Sequence, residues 1–566
     1  MPLLGREWLN VLFPKWRSAF AINAISVREE QIIVNLFRNK AMREIENDFR
    51  ELFDNDLSKP IRDIEVDIKM NLDAKGFVHK PYTVPHSLRE KVELEIENTE
   101  KSGIIRKVEY VEWASPMVTV RKPNGEIRCC LDGSKTINPH IETNHYPIPL
   151  IDDLLVNKSN AKWFTVLDLK GAYTQLRVNE KSHQFLGLNT IKRLYVYERL
   201  PFGIKPAASI FQSAMNKILE NLENVQAYID DVLIWHETPE KLNRVMKVVF
   251  ERLKKFNVKV NLEKCQFIVQ EVKYLGHVLS SEGIKPNSEK IKAILKAPIP
   301  HNVTQLKSFV GMVMFYSKFL RNLNVILSPM YNLLKKSEKW IWSEECQRAF
   351  ESCKRELCGD HILTHYDAKK PIVITCDASD DGISGVLSHR VNGDELPVFF
   401  VSRTLSNAEK KYPILHREAL AIVFAMEKLY KYVFGHFVEI FTDHKPLLGI
   451  FPSQKKGEPP VVATRLQRYI MRVSIFDYEI KYRKGKDNGN ADGLSRLPIE
   501  EKQSFEDEFE EKICAIKSNL ANGKLKLNVE MIRLETIRDE KLQRVKLNIQ
   551  NGWKNGVPKD LKHFFS

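Results

Sequence analysis

Of the 566 residues only eight are cysteine, at 129, 130, 265, 346, 353, 358, 376 and 514, and no two of them make a CxxC pair or a zinc-ligand spacing. A zinc module built on cysteines is thereby excluded, and the thiols read as reduced, buried residues of an intracellular protein. Long apolar runs are missing too: none approaches eighteen residues, and Arg6, Lys15 and Arg17 interrupt the N-terminal stretch before a signal-like core can form. No membrane insertion is expected. Acid is scarcer than base, 73 Asp and Glu against 87 Lys and Arg, a formal charge of +14. That excess favours a polyanionic partner, although spread over a long chain it also serves solubility. The length itself calls for three or more domains.

The carboxylates that remain are placed informatively. In Val225-Gln-Ala-Tyr-Ile-Asp-Asp-Val-Leu-Ile-Trp235 two acids, Asp230 and Asp231, sit between short runs of β-branched and aromatic residues, the pattern of a hairpin with acids at its bend. Adjacent carboxylates in apolar surroundings repel each other and lose solvation, a cost that a bound divalent cation offsets. Upstream, Trp163-Phe-Thr-Val-Leu-Asp-Leu-Lys-Gly-Ala-Tyr173 is a second apolar strand ending in Asp168. Three acids on two strands suit two metal ions held roughly 3.5–4 Å apart, an arrangement for phosphoryl transfer.

Four ordered blocks carry a resemblance: the Leu-Asp-Leu-Lys-Gly-Ala-Tyr run, Leu200-Pro-Phe-Gly-Ile-Lys-Pro-Ala-Ala-Ser-Ile-Phe-Gln212, Tyr-Ile-Asp-Asp and Tyr274-Leu-Gly-His-Val-Leu-Ser280. The chain resembles the Pol polyprotein of Ty3/gypsy-type LTR retrotransposons over nearly its whole length. The resemblance implies that Lys122 and Arg128, in a fingers hairpin turning at Pro123-Asn-Gly, grip the triphosphate of the incoming nucleotide. It implies that Tyr173 is the steric gate against a ribose 2′-hydroxyl, that Phe202 packs on the nascent base pair, and that Gln212 helps position the template. Lys264 stands where a proton donor to pyrophosphate is expected, and Leu275, Gly276 and His277 form the primer grip. Asp132-Gly-Ser-Lys-Thr-Ile-Asn138 departs from the usual Asp-Tyr-Arg-Lys-Leu-Asn, which puts local template contacts in question.

Further elements follow from pattern. Ser87 reads as the N-cap of a helix whose body runs from Lys91 to Ile96, Leu242 to Phe256 as an amphipathic helix, and Asn302-Val-Thr-Gln305 as a capping box. Beyond residue 369, Pro371-Ile-Val-Ile-Thr-Cys-Asp377 and Phe437-Val-Glu-Ile-Phe-Thr-Asp443 are strands ending in acids, and Val391-Asn-Gly-Asp394 is a hairpin turn. Pro413 opens a helix carrying Glu418 that Gly435 closes, and Asn490-Ala-Asp-Gly-Leu-Ser-Arg496 brings Asp492. Asp377, Glu418, Asp443 and Asp492 in this order resemble the ribonuclease H set. A histidine common in the loop before the last acid is absent between His444 and Asp492.

The expected fold class is multidomain α+β and α/β: a right-hand polymerase of fingers, palm and thumb, followed by a ribonuclease H-like domain. The expected boundaries are 1–20 for the closing segment of an aspartic protease without its Asp-Thr/Ser-Gly loop, and 21–80 for a connector. Fingers and palm take 81–285, thumb and connection 286–368, ribonuclease H 369–497, and 498–566 is a spacer before an absent integrase zinc module. The resemblance implies RNA-directed and DNA-directed DNA polymerase and ribonuclease H activity with two Mg²⁺ per site, Mn²⁺ being a substitute. Implied partners are RNA template, DNA primer, RNA–DNA hybrid and deoxynucleoside triphosphates. The implied location is intracellular, in a cytoplasmic virus-like particle with nuclear entry open. The rival reading is an inactive relic or domesticated nucleic-acid-binding protein.

Overall fold

The computed structural model describes residues 34–484, apart from 55, 72, 122–124, 143–145, 157, 321–322, 336–338, 360–361 and 452–463. The segments expected as protease end and spacer, together with Lys122 and Asp492, therefore lie outside the described residues.

The β-branched and aromatic runs singled out above build a four-stranded palm sheet in the order Gln266–Val269, Trp163–Asp168, Asp231–His236, Val225–Tyr228. Its central pair is antiparallel with Asp231 directly opposite Asp168, so one register fixes the spacing of acids on two strands. Across the sheet lies the helix Pro239–Phe256, started by the Thr238 side chain and Pro239 and stopped at Asn257 with φ +59°. It buries Leu242, Met246, Val249, Phe250 and Leu253, one helical face, and each such side chain contributes about 1.5–3 kcal/mol on leaving water. A second helix, Ala207–Ile218, packs Phe211, Ala214, Met215 and Ile218 behind the hairpin.

The fingers are a five-stranded sheet in which Ala114–Arg121 pairs with Ile127–Leu131, the hairpin read from the sequence. The helix His86–Lys101 begins two residues earlier than expected, with Pro85 at its N-cap and no side-chain cap bond. Ser87 is thus inside the first turn and is not the cap: Pro85 brings a preset φ and the start needs no hydroxyl. At Asn302, by contrast, the side chain accepts from the Gln305 amide at 2.9 Å, and Gln305 answers by accepting from the His301 amide.

A small hairpin sheet, Val272–Tyr274, His277–Leu279 and Ile284–Pro286, leads into the thumb helices Ser288–Leu295, Val303–Met314, Leu323–Asn332 and Glu344–Leu357. The last domain is a five-stranded sheet ordered Asp394–Thr404, Gly382–Val391, Ile372–Ala378, Phe437–Thr442, Asp477–Tyr482, its final three strands mutually parallel. Asn392 and Gly393, at φ +53° and +94°, make the predicted tight turn, and the strand after it runs from Asp394 to Thr404. The helix opened by Pro413 ends at Lys428; a short helix Tyr430–Val433 intervenes before Gly435, at φ +80°. One face of this sheet covers its own helix, and from the other Val386 and Phe400 join the core of the thumb.

Packing is tight where strands of the fingers meet. A Cβ at Gly187 would lie 2.1 Å from the carbonyl oxygen of Trp113, the residue just before the neighbouring strand Ala114–Arg121. Gly187→Ala should therefore destabilise the chain by about 1–3 kcal/mol through overpacking, read as a lowered midpoint in thermal melts. An unchanged melt would show that the strands can separate at no cost.

Candidate active sites

Asp168 is held from below by the Asn261-Leu-Glu-Lys-Cys265 segment. The Asn261 amide donates to the Asp168 carbonyl at 2.8 Å, the Asn261 side chain bonds the Asp168 carboxylate, and the Asp168 amide reaches the Cys265 Sγ at 3.4 Å. Burial raises the Asp168 pKa, Lys264 opposes that rise, and Asp230 adds to it. Asp231 is pushed up to about 6, first by burial and then by Asp230 and Asp168. Lys264, expected as a proton donor, has its ammonium 3.6 Å from the Asp168 carboxylate, where it is the local counter-charge.

The bend itself is strained. Ile229 has φ +53°, a conformation costly for a β-branched residue. It is fixed by Gln212: the fully buried amide accepts from the Ile229 N–H at 2.8 Å and donates to the Ala227 carbonyl at 2.9 Å. With those bonds made, Gln212 braces the hairpin and does not reach toward template or nucleotide. The sequence block had suggested the latter because it says nothing about which way a helix turns its amide.

Tyr173, Phe202 and Arg128 come together from three separate segments. The Tyr173 ring lies 4.9 Å from Phe202 and 5.6 Å from Phe211, and the Arg128 guanidinium sits 4.8 Å from the Phe202 centroid. The Tyr173 phenol is raised by burial and by the charge of Asp230. Gly203, at φ +101°, must be glycine because a Cβ would strike the Leu131 carbonyl. Asn138, unremarked in the sequence, pins this turn by donating to the Gly203 carbonyl at 2.9 Å and accepting from the Lys205 amide at 2.8 Å. In the departing Asp132-Gly-Ser stretch, Asp132 accepts from the Ser134 amide and hydroxyl and from the Tyr82 hydroxyl. The altered loop carries its own stabilising turn.

In the primer-grip hairpin, Leu275 and Gly276 have φ +47° and +80°. The Gly276 carbonyl accepts from the Tyr316 hydroxyl at 3.1 Å, and His277 is buried against Phe315, Tyr316 and Phe319. Burial lowers the His277 pKa to about 3, so the ring is neutral and acts as an aromatic anchor to the thumb.

The second acidic set is tighter. Asp377 ends a central strand, Asp443 follows the parallel strand beside it, and Glu418 lies on the helix crossing them; ligand oxygens of the three fall within 4.8 Å of one another. Among the described residues no other acidic group gathers so closely. The Glu418 pKa rises to about 9, through burial first and then Asp377 and Asp443. Its Oε2 is buried with no hydrogen-bond partner. A buried, unsatisfied carboxyl oxygen facing two further carboxylates is the donor set of a hard divalent cation. Both acidic sets fit metal-dependent chemistry.

Two families match. Residues 120–279 match the reverse transcriptase (RNA-dependent DNA polymerase) family, and residues 342–440 match the RNase H-like domain found in reverse transcriptase. The fold agrees: a foamy viral protease-reverse transcriptase in complex with double-stranded DNA superposes with a TM-score of 0.71 over 79% of either chain at 20% identity. Another, in complex with an RNA/DNA hybrid, gives 0.67 over 82% of this chain and 62% of its own at 19% identity. The chain thus carries a reverse transcriptase region followed by an RNase H-like domain.

Sequence relatives narrow the class. The Retrovirus-related Pol polyprotein from transposon 297 of Drosophila melanogaster is 35% identical over 437 residues, 75% of this chain. The Transposon Tf2-3 polyprotein of Schizosaccharomyces pombe is 31% identical over 474 residues, 82% of this chain. The chain spans 40% and 35% of the lengths of these two relatives. These likenesses are consistent with Pol sequence of the Ty3/gypsy-type retrotransposons. The nuclease match begins at 342, earlier than the boundary at 369 read from the sequence, and takes in the helix Glu344–Leu357, which packs on the thumb helix Leu323–Asn332.

Two tests follow. Without metal, Glu418 keeps its proton to about pH 9 when folded, against 4.5 for the ordinary group. The folded chain then binds the extra proton between those values, so the stability this group provides is full below pH 4.5 and lost as pH rises toward 9. In chelator, melts of Glu418→Gln should lack that part of the decline, and added Mg²⁺ should raise the midpoint of the parent far more than that of the variant; parallel curves would refute the assignment. Gln212→Ala should cut nucleotide addition on the order of 100-fold by releasing the acid hairpin, with hybrid cleavage unchanged, as read by primer extension and RNA cleavage in one gel.

Proposed function

We propose that this chain copies RNA and DNA templates into DNA and hydrolyses the RNA strand of the resulting hybrid. The carrying observation is the pair of acid sets, each with a carboxyl group, Asp231 in one and Glu418 in the other, held above its ordinary pKa by burial and by its neighbouring acids. The Mg²⁺ ions that such sets bind, with Mn²⁺ a substitute, supply charge stabilisation at the transferring phosphoryl group and an activated oxygen nucleophile.

The chain's own residues do the remainder. Asp168 and Asp231, opposed in register, hold the polymerase cluster, and the Gln212-braced turn presents Asp230. Phe202, backed by Tyr173, offers a flat surface to the nascent base pair, and Tyr173 narrows the space beside a ribose 2′ position, which selects deoxynucleotides. Arg128 attracts the triphosphate, and Lys122 is the second cation the sequence motif offers for it; a guanidinium can engage two oxygens at once. The backbone of Leu275, Gly276 and His277, tied to the thumb, holds the primer. At the nuclease site Asp377, Glu418 and Asp443 surround the scissile phosphate; Asp492 is the fourth member that the sequence order calls for. The foamy viral relatives bound to double-stranded DNA and to RNA/DNA hybrid support nucleic acids of those kinds as partners. An intracellular life in a cytoplasmic particle with access to the nucleus accords with the retrotransposon relatives, and among the described residues no helix is long and apolar enough to cross a membrane.

Primer extension on an RNA template with Mg²⁺ tests the reading directly. Asp231→Asn and Asp230→Asn should abolish extension and leave RNA cleavage intact, while Glu418→Gln should do the reverse. A parent chain that binds template yet neither extends nor cuts would replace this reading with the binding-protein one.

A further inference from the structure

Between the two acid sets runs a continuous line of contacts, and its centre is the short palm helix Ile151–Leu155, whose sequence is Ile-Asp-Asp-Leu-Leu. Asp152 accepts from the Lys318 ammonium at 2.6 Å, and Lys318, in the thumb, is only 7% exposed. The next residue, Asp153, turns the other way: both of its oxygens accept from Lys431 of the nuclease domain, each at 3.0 Å. Leu155 belongs to the thumb core and Val156 packs on the nuclease core. One turn of helix thus touches all three bodies.

The same turn is anchored to the polymerase hairpin. The Lys158 ammonium donates to the Gln226 side chain at 3.1 Å and lies 4.3 Å from the Trp235 ring. Those two residues stand on the strands on either side of Asp230 and Asp231. At the far end Lys431 sits in the helix Tyr430–Val433, directly after the helix that carries Glu418. Further bonds close the seam: the Tyr366 hydroxyl to the Tyr432 carbonyl at 2.6 Å, the Thr364 amide to the Pro397 carbonyl at 2.7 Å, and the Asn324 side chain to the Ser402 carbonyl at 2.9 Å.

We infer that Asp152 and Asp153 are positioning residues that fix the span between the two acid sets, and through it the length of hybrid separating nucleotide addition from RNA scission. This rests on the two-activity reading above. Neither acid touches either cluster. The two ion pairs differ in their cations: Lys318 is buried, so removing Asp152 would strand its ammonium, whereas Lys431 and Asp153 are both exposed and their pair is screened by salt. The exposed pair is therefore the adjustable one, and the test is built on it.

The full chain is assayed on a long RNA template, with the distance from primer terminus to each RNA cut read during extension. The parent should cut predominantly at one distance. Lys431→Glu, which sets a third acid against Asp152 and Asp153, should spread the cuts over several neighbouring positions, with extension rate and cleavage of a preformed hybrid lacking a recessed primer end unchanged; high salt should spread the parent's cuts in the same sense. The reversed pair, Asp153→Lys with Lys431→Glu, should draw the cuts together again. Lys431→Glu and Asp153→Lys each retaining the parental spacing would overturn the inference. If the parent neither extends nor cuts, the two-activity reading falls, and small-angle scattering decides the clamp separately: Lys431→Glu should swell the particle relative to the parent, and an unchanged scattering profile would overturn the inference as well.

Discussion

Crowding carboxylates where water is scarce is unfavourable twice over, through lost hydration and through mutual repulsion. Everything else in this chain is arranged to tolerate that. At the palm the acids share one strand register, so they cannot move apart without breaking a ladder of backbone bonds. In the nuclease domain two parallel strands and a crossing helix pin three acids, and the energy of that confinement appears as a Glu418 that keeps its proton far above the ordinary carboxyl range. Lys264 relieves one palm acid directly. Glu418 is the more strongly perturbed acid because it is the more deeply buried, and Arg417 offsets only a little of that rise.

The confinement is achieved largely by side-chain amides in segments that have no regular backbone pairing. Gln175 donates to the carbonyls of Lys170 and Lys259 and accepts from the Lys259 amide, tying the loop after Asp168 to the neighbouring strand entry. Gln212 does the same for the acid hairpin and Asn138 for the Pro-Phe-Gly turn. A carboxamide offers both donor and acceptor without adding charge. Beside a cluster of acids that neutrality matters, since a lysine in the same role would compete for the carboxylates.

Much of this was legible in the chain. The acid-bearing strands, the fingers hairpin, the Asn-Gly turn and the amphipathic helix over the palm all follow from period and turn chemistry, because each is set by residues close in sequence. Where prediction fell short, the deciding contacts are distant. Gln212 reads as a template contact until its amide is seen against Ile229, seventeen residues away. Asn138 looks like any loop residue until Gly203 approaches it. Ser87 lost its capping role to the proline two residues before it, a competition the pattern alone does not rank. The family match that begins at 342 takes in the helix Glu344–Leu357, whose partner is a thumb helix, and helical periodicity does not say which body a helix serves.

The nuclease sheet, finally, has no free second face: Val386 and Phe400 are part of the core that the thumb builds. A nuclease module cut from this chain at its first strand would leave Val386 and Phe400 without the thumb core they pack in. A recombination joint placed at the start of its first strand would unite an apolar sheet with a thumb it had never packed against, so successful exchanges would carry thumb and nuclease together. The seam that matters for inheritance therefore lies upstream of the thumb, not between the two activities.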